Sequence, residues 1–532
     1  MAADSCNDQG RNVRLVKPEE AVRLVPDGAT VIFGGSGAGH AVPQRFIDAL
    51  AAVYTEEGRP RGLTTVRVVG MGDFADRGFS QLAIPGLMRR TIGSNIGNEP
   101  RLAALVSAGE VEAYSFPQGV ISQLCREIAA GRPGLITKVG LNTYVDPRQT
   151  GGKQGPAEED LVEVIELSGE EWLLYRSFPI DVAVIRGSTI DEEGNLTLDD
   201  EAINGEMLAM AMAARNSGGI VFAQARSMVP TGELRPRRVQ VPAALIDVAY
   251  LDPHQTQTYN TDYSPYFAGA ARLDEPSGAQ EVPLDVRKVI ARRSLLEFGR
   301  GEIANLGFGI SQNIGAIARE EDVADLLVLT VEQGVFGGVP ASGNDGGAGF
   351  NYQALIDQPY MFDFYDGGGL DIASLSFAEV DAVGNVNVHA FGDRLRGPGG
   401  FPNISLGAKR VCFVGTLTTG GMKAAIQGGT IAITAEGRTE RFVDHVREVT
   451  FSGPVAAERG QDVLYITERA VFALVEGTVT LIEIAEGLDP ESDVIAHMGF
   501  RPAISPDLTT VDPVVYANGT MGLRRRLEGG NP

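Results

Sequence analysis

Cysteine, histidine and tryptophan are scarce in this chain, and positive charge is in deficit. Its 532 residues include 3 Cys, 5 His and 1 Trp, without CxxC or HExxH spacing. Three cysteines cannot build a disulfide framework, and scattered histidines form no metal-ligand motif, so no metal site is expected. Lys plus Arg number 45 against 69 Asp plus Glu, for a net charge of −24. Because such a field repels nucleic acid and anionic membranes, neither is an expected partner.

Long apolar runs and several nucleotide-binding or hydrolase motifs are also missing. No stretch approaches 18 apolar residues, and the opening MAADSCNDQGRNV lacks the apolar core of a signal peptide. These absences predict a soluble, cytoplasmic protein. The chain has no Walker A or G-x-S-x-G motif, and two Gly-rich turns miss the last glycine of G-x-G-x-x-G, where His40 and Gln312 stand. Those turns could still bind phosphate through backbone N–H groups, or serve geometry alone.

Short β-branched runs alternate with segments of helical periodicity, which predicts an α/β fold with parallel sheets. Several of the predicted strands are apolar throughout, as expected of strands covered on both faces. They lie at 29–33, 65–69, 181–185, 219–222, 326–331 and 411–414. The predicted helices lie at 43–53, 101–109, 121–130, 205–214 and 286–298. Residues 144–160 and 340–351 are polar and Gly-rich, which predicts exposed loops.

An internal repeat indicates two related open α/β domains. Residues 181–198 and 371–388 align without a gap at an offset of 190. The identical pairs are Asp181 and Asp371, Ala183 and Ala373, Asp191 and Asp381, Gly194 and Gly384, and Asn195 and Asn385. The polar stretch between the copies predicts an N-terminal domain at 1–255, a linker at 256–285 and a C-terminal domain at 286–532.

Three features could carry chemistry. Glu332 ends the apolar run LLVLTV and precedes a Gly-rich loop, where open α/β sheets bind ligands; a surface-facing Glu is the alternative. The GPGGF loop at 397–401, which leads to the strand-like NISL at 403–406, exposes backbone N–H groups that could form an oxyanion hole. Gln118 follows a proline at a helix start, where it could donate to a carbonyl oxygen or act as a solvated cap.

Together these motifs resemble the family I CoA-transferases. The residues that carry the resemblance are TVEQG at 330–334, GPGGF at 397–401, PQG at 117–119, NLGFGI at 305–310 and LYITERAVF at 464–472. It spans about 13–510 and is strongest to single-chain bacterial short-chain acyl-CoA:acetate or 3-ketoacid transferases.

The resemblance implies ping-pong transfer of CoA between a short-chain acyl-CoA and acetate or a 3-keto acid. CoA would be substrate and covalent intermediate, without a permanently bound cofactor, and the protein a homodimer or homotetramer. Glu332 would be the nucleophile, with Gln118 and the amides of Gly399 and Gly400 as oxyanion donors. CoA would contact Gly307, Phe308, Gly309, Gly397, Phe401 and Lys423.

Other bases could hold the CoA phosphates or be solvated surface groups: Arg394, Arg396, Lys409 and Arg410. Two other functions stay open at this point. One is an acyl-CoA hydrolase that uses the same Glu332, and the other is a non-catalytic ligand sensor on this fold.

Overall fold

A large, mostly parallel sheet forms the first half of the protein. The computed structural model describes residues 12–274, 282–390 and 396–529. Along the sheet the strands are Arg14–Leu15, Val248–Leu251, Ile220–Val229, Val182–Asp191, Thr30–Phe33, Leu63–Arg67, Met88–Gly93, Glu112–Ser115 and the antiparallel Lys153–Gln154. Two further strands, Leu196–Thr197 and Val239–Val241, extend it off this path. The helices of this half are Pro18–Val22, Gln44–Glu57, Pro100–Ser107, Gln118–Ala129 and Met207–Asn216.

A second large sheet forms the other half, with parallel strands at its centre. In spatial order its strands are Ala354–Leu355, Val335–Phe336, Val328–Val331, Ile303–Leu306, Ile372–Ser376, Arg410–Val414, Asp462–Ile466, Ala470–Val475, Thr478–Ile484 and Ala503–Thr510. The helices are Val286–Leu295, Gln312–Glu320, Gln358–Asp366, Phe401–Gly407, Gly453–Glu458 and Leu523–Leu527. The α/β fold class is therefore confirmed.

Smaller antiparallel sheets decorate both halves. One is three-stranded, with strands Gly134–Thr137, Glu170–Arg176 and Val162–Leu167. The two-stranded pairs are Val339–Pro340 with Gly349–Phe350, Glu379–Val380 with Val386–Asn387, Thr418–Thr419 with Thr439–Glu440, and Lys423–Gln427 with Thr430–Ala435. No helix in the described ranges has the length and apolarity to cross a membrane.

Alternate residues of each central strand enter different apolar clusters. On the strand Arg410–Val414, Val411 and Phe413 pack with Leu375 and Phe401, whereas Cys412 and Val414 pack on the other face against the helix Val286–Leu295. Period-2 side-chain alternation with both faces covered explains why these strands are apolar throughout.

The internal repeat corresponds to repeated geometry. Asp181 accepts from Thr30 N at 2.8 Å, and Asp371 accepts from Ile303 N at 2.9 Å, each at the start of equivalent central strands. In the acidic turns, Asp191 accepts from the side chain of Asn195 at 2.9 Å, as Asp381 does from Asn385. Both halves therefore follow one plan.

Three local predictions need correction. The segment 403–406 is not a strand but part of the helix Phe401–Gly407, because Pro402 suits a first helical turn and Phe401 and Ile404 share a buried face. Within 144–160, Tyr144 to Asp146 are buried, since Tyr144 N donates to Val449 O of the other half at 2.8 Å. Within 340–351, Ala341 N bonds to Ala348 O at 2.9 Å, and both residues are buried.

The predicted linker packs against both halves along 252–274. Gln257 and Thr258 are fully buried, and Phe267 packs with Ala341 and Ala348 of the second half. Several of its polar side chains, Gln257 and Thr258 among them, form hydrogen bonds instead of facing solvent, which composition alone does not reveal. The boundaries at 255 and 286 stay a prediction.

Candidate active site

A cavity of about 790 Å³ opens at the carboxyl ends of the central strands of the second sheet, and both halves of the chain line it. Open α/β sheets bind ligands at this edge. Nine of the ten predicted site residues line the cavity: Gln118, Gly307, Phe308, Gly309, Glu332, Gly397, Gly399, Gly400 and Phe401.

Glu332 follows the strand Val328–Val331 and is partly buried in the cavity wall. Burial raises the pKa of its carboxyl above the ordinary value, while weaker hydrogen bonds, including those from Gln333 and Asn305, oppose the rise. Gln333 Nε2 lies 3.4 Å from Glu332 Oε1 and also 3.4 Å from Ser36 Oγ of the first half. A carboxylate with few partners and a raised pKa is suited to act as a nucleophile or a base.

A buried hydrogen-bond network lies behind Glu332. Tyr365 donates its hydroxyl proton to Thr330 Oγ1 at 2.8 Å, and Thr330 donates to Ala304 O at 2.9 Å. Asn305 Nδ2 donates to Tyr365 Oη at 3.2 Å. Because Asn305 also lines the cavity and donates to Thr330 O at 3.4 Å, the network fixes the strand end that carries the carboxylate.

The GPGGF loop docks on the first half through its backbone. Gly399 N donates to Ser94 O at 3.2 Å, and Gly399 O accepts from Gln118 N at 3.0 Å. A Cβ on Gly397 would collide with Ser94 O, so the close approach requires glycine there. The amide of Gly399 is therefore engaged by Ser94 O, and its predicted role as an oxyanion donor stays a prediction. The amide of Gly400 donates to no acceptor in the described ranges.

Gln118 begins the helix Gln118–Ala129 beside this loop. Its side chain is buried, and its Nε2 has no hydrogen-bond partner in the described part of the chain. The nearest atom to a Cβ on Gly399 would be Gln118 Oε1, at 3.6 Å. A buried, unpaired amide is costly unless a ligand pairs with it, so Gln118 is placed to donate to a bound oxygen.

The turn 307–309 forms another wall. Ser376 Oγ donates to Phe308 O at 2.8 Å and holds the turn, while the Phe308 ring is 62% exposed. An exposed aromatic ring at a cavity wall offers an apolar surface for a ligand.

Comparison with known proteins decides the family. The family model described as "Coenzyme A transferase" matches residues 15–250. The acetate CoA-transferase YdiF of Escherichia coli (strain K12) is 43% identical over 512 residues, which cover 96% of each protein. The caffeate CoA-transferase of Acetobacterium woodii is also 43% identical, over 96% of this chain and 98% of the relative.

The chain belongs to the coenzyme A transferase family. A crystal structure of the acyl-CoA transferase YdiF from E. coli O157:H7, in a thioester complex with CoA, matches with a TM-score of 0.91 and 42% identity. The match covers 96% of this chain and 97% of that one. The two-domain α/β architecture and the enzyme class are thereby confirmed, with CoA as substrate and covalent intermediate. The sensor alternative is wrong.

The basic residues of this CoA-transferase divide by position. Lys423 is exposed and lies outside the cavity. It belongs to a hairpin whose Ala424 and Ile426 pack in the same apolar cluster as the helix Val286–Leu295. Lys409 and Arg410 lie at the amino ends of the central strands, paired with Asp371 and Asp462 at 2.7 Å. Arg396 lines the cavity, and Arg394 lies outside the described residues.

Several lining residues of the CoA-transferase were not assigned from sequence. Ser36, Asn305 and Gln333 line the cavity, and the buried His40 contacts it through Gly346. Asn305 stands inside the NLGFGI motif and Gln333 inside TVEQG, so the motifs already carried a signal for these two. Within the described ranges, no cluster of three His, Cys, Asp or Glu side chains could hold a metal ion.

Proposed function

We propose that this CoA-transferase moves CoA between a short-chain acyl-CoA and acetate or a 3-keto acid, with Glu332 as nucleophile. The observation that carries the proposal is the meeting of three groups in one cavity. They are the partly buried Glu332 carboxylate, the unpaired Gln118 amide and the free Gly400 N–H. A nucleophile and two oxyanion donors are what acyl transfer requires.

The proposed reaction proceeds through two covalent intermediates on Glu332, a mixed anhydride and a thioester. The carboxylate attacks the acyl-CoA carbonyl, the C–S bond breaks, and a mixed anhydride and CoA thiolate form. The thiolate then attacks the glutamyl carbonyl, releases the first carboxylic acid as its carboxylate, and leaves a glutamyl-CoA thioester. The acceptor carboxylate reverses both steps. Because each step exchanges one activated acyl group for another, no ATP is needed.

Oxyanion stabilisation is assigned to Gln118 and Gly400. Each tetrahedral intermediate places negative charge on the former carbonyl oxygen, and preorganised donors at that oxygen lower the barrier. Gly399 is assigned a role in the loop's conformation. Its backbone has φ +60°, and its N–H and C=O hold the loop on Ser94 and Gln118.

The substrate acids are proposed to be small. One relative is an acetate CoA-transferase and the other a caffeate CoA-transferase, at the same 43% identity, so identity does not decide between small and aromatic acids. The loop 343–347 occupies the space next to Gln333, since a Cβ on Gly347 would lie 3.5 Å from Gln333 Cδ. Close packing beside Gln333, the residue after Glu332, supports a short acyl group.

Initial-rate kinetics test the proposed function. Butyryl-CoA is offered as donor against acetate, acetoacetate and caffeate, and acetyl-CoA against acetoacetate and caffeate. Product acyl-CoA is quantified by chromatography. We expect parallel double-reciprocal lines, as a ping-pong reaction gives, with acetate or acetoacetate as the best acceptor. Release of free CoA at the same rate with and without acceptor would instead support the hydrolase. Preference for caffeate would reject the small-acid assignment.

CoA binding is assigned to Gly307, Phe308, Gly309, Gly397 and Phe401 around the cavity, and Arg396, which also lines it, is proposed to contact a CoA phosphate. We expect Arg396→Ala to raise the KM for acyl-CoA about tenfold, because hydrogen bonds to charged groups contribute about 1.5–3 kcal/mol. Lys423→Ala is the matched control and should change this KM less than about twofold, since its hairpin lies away from the cavity. Titration with salt should weaken the Arg396 contribution alone. Equal effects of both substitutions would reject the assignment.

The homodimeric or homotetrameric state and the cytoplasmic location remain proposals, supported by the family resemblance and the composition. Light scattering of the purified chain would measure the first.

A further inference from the structure

The loop 343–347 is held by hydrogen bonds from His40 of the first half and from the segment 258–261. Asp345 Oδ1 accepts from Thr258 Oγ1 at 2.6 Å and from Thr261 Oγ1 at 3.0 Å, and Asp345 Oδ2 accepts from Asn260 Nδ2 at 2.9 Å. His40 Nε2 lies 2.9 Å from Gly346 O. We call these five residues, Asp345, Thr258, Asn260, Thr261 and His40, the clasp.

The segment that supplies three clasp residues is itself fixed to the first half. Arg186 donates to Thr256 O at 2.5 Å, and Gln257 Nε2 donates to Asp200 O at 2.5 Å. Tyr259 donates its backbone N–H to Ala38 O at 2.7 Å and its hydroxyl proton to Met71 O at 2.6 Å. The clasp therefore ties the loop to a rigid base.

His40 acts in the clasp as a neutral donor. It is fully buried, and burial lowers the pKa of its imidazole to about 4. Because a carbonyl oxygen can only accept, the single ring proton resides on Nε2 and is donated to Gly346 O. A Cβ on Gly347 would lie 3.0 Å from His40 Nε2 in a backbone with φ +118°, so glycine permits the close contact.

The position of the loop gives the clasp its significance. Gly343, Asn344 and Gly346 line the same cavity as Glu332. Gln333 Nε2 lies 3.4 Å from both Glu332 Oε1 and Ser36 Oγ. Ser36 in turn donates its backbone N–H to His40 O at 2.9 Å. The apolar side of the junction is closed by Phe267 against Ala341 and Ala348. The loop thus forms one wall of the cavity that Glu332 also lines.

We propose that the clasp residues are positioning residues that keep water away from the glutamyl-CoA thioester, so that the enzyme transfers CoA instead of hydrolysing acyl-CoA. This inference rests on the proposed function, because it requires the thioester on Glu332. In the suppressed reaction, water oxygen adds to the glutamyl carbonyl and the C–S bond breaks. The oxygen stays in the regenerated Glu332 carboxylate, one proton goes to the CoA thiolate, and the other is released.

The clasp fixes the position of the loop 343–347 through several directional hydrogen bonds. Asp345 uses both carboxylate oxygens on three neutral donors from one segment, which fixes the loop in direction as well as distance. Excluding water from a reactive intermediate requires a wall whose place is defined to a fraction of an ångström.

The experiment compares hydrolysis with transfer in the full-length enzyme. Variants are Asp345→Ala, the milder Thr261→Val, and His40→Phe. The matched control is Asp262→Ala, an exposed aspartate of the same segment whose side chain has no bond to a described residue. Free thiol released from butyryl-CoA without acceptor is measured beside transfer from butyryl-CoA to acetate, which yields acetyl-CoA. The lifetime of the CoA adduct is followed by intact mass.

We expect the ratio of hydrolysis to transfer to rise about tenfold or more in Asp345→Ala and His40→Phe, and less in Thr261→Val, with shortened adduct lifetimes. Asp262→Ala should behave as wild type. A purely structural role would lower the melting temperature and both rates together, leaving the ratio unchanged, and that outcome would overturn the proposal. If Asp345→Ala does not fold, an unchanged ratio in folded Thr261→Val does the same. A wild-type enzyme that forms no CoA adduct would instead refute the proposed function itself.

Discussion

Replacing Glu332 by glutamine is expected to abolish both CoA transfer and the covalent CoA adduct. Glutamine keeps the size of the side chain but lacks the nucleophilic oxygen, so neither the anhydride nor the thioester can form. Removal of a nucleophile lowers turnover by about 10⁴-fold or more. Intact mass under mild acid, after incubation with acyl-CoA and no acceptor, should show a CoA-sized increase in the wild type that maps to Glu332. The variant should show none.

The same carboxyl group predicts an acid limb in the pH profile. Burial raises the pKa of Glu332 above its ordinary value of 4.5, and only the ionised form attacks. Activity is therefore present above the raised pKa and is lost as the pH falls through it. A profile of kcat/KM for acyl-CoA should bend at a pH above 4.5, since this parameter reports the free enzyme.

Glu486→Gln serves as the control for this experiment, because Glu486 is exposed and its side chain has no bond to a described residue. It should retain the adduct, the turnover and the acid limb. Borohydride, which reduces a thioester, should inactivate the wild type only after exposure to acyl-CoA. A wild type that turns over acyl-CoA without ever carrying CoA would make Glu332 a general base for hydrolysis.

Most of the architecture was predictable because its signals are local. Apolar β-branched runs identified the central strands, and the repeat around Asp191 and Asp381 works through hydrogen bonds within a few residues of each aspartate. The strand-end position of Glu332 follows from the same local pattern, since the carboxyl edge of a parallel sheet is where such a residue must lie.

What escaped prediction depends on contacts between distant segments. The engagement of Gly399 N with Ser94 O joins residues about 300 positions apart, so no local pattern could show that this amide is already bonded. The location of Lys423 outside the cavity depends on how its hairpin packs on the second half, which is a tertiary contact. The segment after Leu251 is polar and aperiodic like a linker, and only its partners, Asp345 among them, distinguish it from one.

Truncating Gln118 to alanine is expected to lower turnover by about 10²–10³-fold while leaving acyl-CoA binding nearly intact. Loss of one oxyanion donor costs about 2.7–4 kcal/mol of transition-state stabilisation. The ground state should be little affected, because the backbone bond from residue 118 N to Gly399 O survives the substitution. Two measurements separate the effects. Steady-state kinetics give kcat for Gln118→Ala. Calorimetry gives the dissociation constant of acyl-CoA for Gln118→Ala in a protein that also carries Glu332→Gln.

A matched control lies on the same helix. Gln123→Ala removes a buried amide that bonds to Asp363 at 3.1 Å and Asp366 at 2.9 Å of the second half and does not line the cavity. This variant should lose stability and keep its turnover, whereas Gln118→Ala relieves an unpaired amide and should fold at least as well. Gln118→Ala should also slow formation of the CoA adduct on Glu332, since both tetrahedral intermediates on the way to it use the same donor. If the adduct forms at the wild-type rate in Gln118→Ala, the side chain does not contact the oxyanion, and Gly400 N–H must carry that role with another donor.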